Sequence, residues 1–141
     1  MDIGQLGFAA AISLAAVGSA LGTGIAGMGA IGAWKKCFAQ NKPAIFLVVA
    51  FAGAPLTQTI YGLILMNAIL ASSVSPVARL AAGIFGGLGI GASALAQGRA
   101  GASAADALGE TGKGFVNYLM VIGIVETVAL FVMVFLMSTL R

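Results

Sequence analysis

The sequence predicts an all-α integral membrane protein with four transmembrane helices in two tandem hairpins. Three observations carry that reading. Residues are 60% hydrophobic and only 8% charged, where a soluble domain carries about 25% charged residues. The mean hydropathy is +1.08. Four apolar stretches, Ile3–Trp34, Ala44–Ser72, Val77–Leu95 and Gly114–Leu140, take up nearly the whole chain, each close to or above the ~20 residues that span a hydrocarbon core as a helix. Residues 1–72 are expected to form the first hairpin and residues 73–141 the second. Little length remains for a soluble catalytic head, so the chain is not expected to be an enzyme.

The first helix is rich in glycine. Gly18, Gly22, Gly29 and Gly32 share one helical face, and small residues on a membrane helix let backbones approach closely. The stretch begins Met1–Asp2 without a basic leader, so it is expected to be retained rather than cleaved as a signal peptide. A polar break follows, Lys35–Lys36–Cys37–Phe38–Ala39–Gln40–Asn41–Lys42–Pro43. Pro43 suits the first turn of the second helix. That helix runs to Ser72 and contains Pro55, which removes one backbone donor and frees a carbonyl one turn earlier.

The turn Ser73–Val74–Ser75–Pro76 leads to a third helix, again rich in glycine. Its apolar character fades after Leu95, but the small residues that follow carry it on to the turn Gly109–Glu110–Thr111–Gly112. The fourth helix follows Lys113. The halves resemble a duplication: glycines match at an offset of 65 and Gln58 falls on Glu126 at an offset of 68. Lys35, Lys36, Lys42, Arg99 and Lys113 lie towards the hairpin tips, against Arg79 and Arg141 at the other side. The excess of cations places the tips in the cytoplasm and the termini outside.

Glu126 is the singular residue. It is a carboxylate near the middle of the most apolar stretch, where an ionised side chain costs about 2.5–3.5 kcal/mol or more. Counting from the tips at 1.5 Å per residue puts Gln97 and Glu126 roughly 18 and 21 Å deep, and Gln58 about 22 Å deep. Ala54, Thr57, Gln58 and Tyr61 share one face of the second helix. Thr57, Gln58, Gln97 and Glu126 therefore offer hard oxygen donors at one level, with a helix backbone carbonyl as a further candidate.

A single negative charge among such donors suits one monovalent cation. Na⁺ fits best and H⁺ is the alternative, since a divalent cation draws on more carboxylates. There is no His, and the lone Cys37 can form neither an internal disulfide nor a transition-metal cluster. The net charge of +3 sits at helix ends rather than on one face, which argues against nucleic acid as a partner.

At these residues the chain resembles the duplicated proteolipid of rotary V-type ATPases, the subunit K of the membrane rotor ring. The resemblance covers the full length. It rests on two glycine-rich hairpins, Pro55 followed by Thr57–Gln58 and Tyr61, Gln97–Gly98, and the single Glu126. The set is similar to the sodium-translocating branch. There the matching Thr, two Gln and Glu hold Na⁺ with a backbone carbonyl that maps to Ala54, and the matching Tyr hydrogen-bonds the Glu.

The resemblance implies a homo-oligomeric ring in a prokaryotic cell membrane. It further implies a stator membrane subunit that supplies an Arg, and a central-stalk subunit on the cytoplasmic tips. A small four-helix secondary transporter is the main rival, but such proteins carry fewer glycines and set aromatic residues beside their Glu. Here Glu126 is flanked by Val125 and Thr127. A purely structural or pore-forming protein would not need so many oxygen-bearing groups at one depth.

Overall fold

A computed structural model describes residues 2–141, and among them every regular element is helical. Helix α1 spans Gln5–Ala39, α2 Val48–Ala71, α3 Pro76–Thr111 and α4 Phe115–Thr139. All four are long and apolar enough to cross a membrane. With 35 and 36 residues, α1 and α3 exceed the ~20 residues needed for the hydrocarbon core and project beyond it.

The centre of the chain is the contact of α1 with α3, and it is backbone against backbone. A Cβ added at Gly83 would enter the backbone of Gly7, and one at Gly98 would enter that of Gly22. Ala11, Ala15, Ala26 and Ala33 are fully buried around these crossings. In a membrane no hydrophobic effect drives helices together, so dispersion between closely packed backbones has to do it. Helices α2 and α4 pack outside this pair. Gly62 lets α2 settle on Ala15, and Gly86 receives the side chains of Leu65 and Leu136. Helix α4 is the least covered of the four, with 17% of its most apolar window buried.

Ion pairs and hydrogen bonds mark the two ends. Lys36 meets Asp106 at 2.6 Å and Glu110 at 3.6 Å, tying α1 to α3 near the tips. At the opposite end Arg79 meets Asp2 at 2.6 Å, and Ser72 Oγ donates to Leu140 O at 2.6 Å. The α1–α2 and α3–α4 turns thus share one end, while the termini share the other with the α2–α3 connection.

Three local expectations need correction. Helix α1 continues through Lys35–Lys36–Cys37, because Cys37 is buried, and ends where Asn41 turns left-handed with φ 53°. Pro43 does not open α2. Residues 42–45 carry no helical bonds and the helix starts at Val48. The stretch instead offers Ile45 O to Trp34 Nε1 at 2.9 Å. Gly32 is not in the α1–α3 seam, since a Cβ there would meet nothing within 4 Å. Across the seam Gly7 faces Gly83, Gly18 faces Gly91 and Gly22 faces Gly98.

Candidate ion-binding site

Midway along the helices a chain of polar side chains links α2, α3 and α4. Its α2 part is set by Pro55, which cannot donate to the helix ladder. The backbone answers with a 3₁₀ turn over Ala54–Leu56, and Thr57 N–H bonds Ala54 O. The same carbonyl accepts from Thr57 Oγ1 at 3.0 Å. Thr57 Oγ1 also lies 3.1 Å from Gln58 Oε1, so one hydroxyl proton is shared between two acceptors.

From there the path leads across the helices. Gln58 Nε2 donates to Gln97 Oε1 at 2.7 Å, and both glutamines are fully buried. Gln97 Nε2 donates to Glu126 Oε2 at 3.1 Å and, with its other proton, to Ile122 O at 3.2 Å. Tyr61 Oη donates to the other carboxylate oxygen, Oε1, at 2.6 Å. Glu126 is half-buried, on the least covered of the four helices.

The structure thus brings together Ala54, Thr57, Gln58, Tyr61, Gln97 and Glu126, all six residues that the sequence singled out. Two neutral donors, Tyr61 Oη and Gln97 Nε2, thus occupy one oxygen each of the carboxylate. The Gln97 nitrogen, not its oxygen, faces Glu126, and the chain leading away holds two amide oxygens, a hydroxyl and a carbonyl, oxygens of the kind that suit a hard cation of low charge. Among the described residues no three His, Cys, Asp or Glu side chains gather as a metal cluster.

Sequence reasoning missed Ser93. It is 5% exposed and its hydroxyl crosses to α4, donating to Val125 O at 3.0 Å. The signal was present, because Ser93 lies one turn before Gln97 on the same face of α3. Arg99, counted among the cations towards the tips, is exposed on α3 and takes no part in the polar chain.

Two comparisons bear on this arrangement. Residues 80–138 match the family model of the ATP synthase C subunit. The A-type ATP synthase subunit K of Methanocaldococcus jannaschii is 31% identical over 131 residues, covering 92% of this chain. The chain spans 57% of the length of that curated relative.

Proposed function

We propose that the chain is a non-catalytic component of a membrane rotor ring, a reading supported by the match of residues 80–138 to the ATP synthase C subunit and by the similarity to an A-type ATP synthase subunit K. Copies of the chain assemble around one axis, and Glu126 carries one monovalent cation per chain across the membrane as the ring turns. A stator membrane subunit supplies an Arg that displaces the ion. A central-stalk subunit docks on the tips that carry Lys36, Asp106 and Glu110. The tips face the cytoplasm and the termini face outward, in a prokaryotic cell membrane.

The observation that carries this reading is the continuous chain Thr57–Gln58–Gln97–Glu126–Tyr61. A charge on the outer side of a membrane bundle is tolerated only when it is compensated. Tyr61 and Gln97 hold the carboxylate partly compensated, and a bound cation would neutralise it, so that the filled site can pass lipid.

Na⁺ is the proposed cargo. Thr57, Gln58, Gln97 and the Ala54 carbonyl supply more oxygen than a proton site needs. Rotating the Gln97 amide about its last torsion would exchange its nitrogen for its oxygen beside Glu126, giving a cation a further ligand. Proton transport is the second reading, favoured by one contact. Tyr61 Oη lies 2.6 Å from Glu126 Oε1, a distance at which a protonated carboxyl is equally well held. Carbodiimide labelling of Glu126 in the assembled ring separates the two readings. Protection by millimolar-range Na⁺ at neutral pH supports the sodium site, and labelling that responds only to pH supports protons.

A further inference from the structure

We propose that Ser93 is a positioning residue for Glu126, fixing the height and rotation of α4 so that the carboxylate meets Tyr61 and Gln97. The inference rests on the reading of Glu126 as the ion-carrying group.

The hydroxyls of this chain ordinarily bond within their own helix. Ser13 donates to Ala9 O, Ser103 to Arg99 O and Thr111 to Ala107 O, each one turn back. On α4 itself Thr127, Ser138 and Thr139 do the same to carbonyls three residues back. Ser93 departs from this pattern. Its one proton goes to Val125 O on the neighbouring helix at 3.0 Å, although its own helix offers a carbonyl one turn back. Val125 is the residue before Glu126.

One turn further along α3, Gln97 Nε2 donates to Ile122 O, one turn before Glu126. Two α3 side chains therefore grip two successive turns of the α4 main chain at the level of the carboxylate. The grip matters because little else on α4 is directional. Apart from these two side chains, of which Gln97 also reaches the Glu126 carboxylate, its packing on α3 is apolar, such as Val132 against Gly89 and Leu136 against Gly86. A slip of one residue moves a helix by about 1.5 Å and turns it by about 100°. That is enough to break the 2.6 Å bond from Tyr61 and the 3.1 Å bond from Gln97. Both carbonyls can keep their own helical bond while accepting the second, since each has two lone pairs.

The test uses assembled rings carrying Ser93→Ala, Ser93→Thr or the exposed control Ser103→Ala. Carbodiimide labelling of Glu126 is followed against Na⁺ concentration at fixed pH, and against pH without Na⁺. Losing one net hydrogen bond predicts a midpoint shift of about three- to tenfold in Na⁺ for Ser93→Ala. Ser93→Thr returns the midpoint towards that of the unchanged chain, and Ser103→Ala leaves it in place. If the unchanged chain responds to pH alone, the sodium reading fails. The proposal is then judged on the pH midpoint, which must move in Ser93→Ala and not in Ser103→Ala.

An unshifted midpoint in Ser93→Ala overturns the proposal. So does a ring that is less heat-stable with its midpoint unchanged, because that is the mark of packing alone. Should Ser93→Ala fail to assemble, Ser93→Cys, of similar size and a weaker donor, must show the shift instead.

Discussion

Glu126 is held on both oxygens, by Tyr61 at 2.6 Å and by Gln97 at 3.1 Å, and these two bonds define what each side chain contributes. Glu126→Gln keeps shape and hydrogen bonding but removes the charge. Rings of that variant should assemble normally while ion transport, measured as ²²Na⁺ uptake into reconstituted vesicles, falls to background. Wild-type uptake by the variant would refute the assignment. Gln97→Ala removes a donor to Glu126 and the acceptor that Gln58 Nε2 uses, taking the partner from a buried amide. Its ion-binding midpoint should rise about tenfold or more, given the ~1–3 kcal/mol cost of an unpaired buried group. Unchanged ion dependence in titrations of the assembled ring would remove Gln97 from the site. Polarity made these positions legible, since an amide or acid in an apolar helix stands out and helical spacing fixes its face. Ser93 stayed hidden because a serine in a helix normally satisfies itself on its own backbone, and sequence alone does not reveal a bond that crosses to another helix.

At the scale of the elements, the helices were legible because each apolar stretch is long and punctuated by Pro, Gly or Lys. Their ends were not. Buried Cys37 draws α1 past Lys35 and Lys36, and Trp34 holds residue 45 in an unwound segment, so tertiary contacts overrode local signals. Glycine was only half legible. Sequence shows that α1 is lined with it but not which copies meet another backbone. Gly18, Gly22 and Gly29 do, whereas Gly24, Gly27 and Gly32 face open space in the single chain. A contrast follows. Gly18→Leu forces a side chain into the backbone of Gly91 and should abolish recovery of assembled protein. Gly53→Ala meets nothing within 4 Å and should leave recovery unchanged, or raise heat stability slightly through the ~1 kcal/mol helix preference of Ala over Gly. Size-exclusion yield after detergent extraction reads both. Equal yields would mean that the α1–α3 seam is not the structural centre of the chain.

The whole molecule is polarised along its long axis, and that polarity sets how it sits in a membrane. One end carries Lys35, Lys36 and Lys42 on α1 and its turn, with Lys113 in the turn before α4. Lys36 also engages Asp106 and Glu110. The other end pairs Arg79 with Asp2 and leaves Arg141 as its further cation. Acidic residues contribute little to orientation, so the cation count governs, and the richer end should stay cytoplasmic. Two cysteine-reporter chains test this. With Cys37→Ser removing the native thiol, Gln40→Cys places a thiol at the exposed α1–α2 turn, and Ser73→Cys places one at the exposed α2–α3 connection. A membrane-impermeant maleimide should label Gln40→Cys in inverted vesicles and Ser73→Cys in right-side-out ones. The reverse pattern would invert the molecule and move the proposed stalk-docking face to the opposite side. Labelling of both thiols from one side would contradict the four-span topology itself, because the α1–α2 turn and the α2–α3 connection lie at opposite ends of α2, a helix that must cross the membrane once.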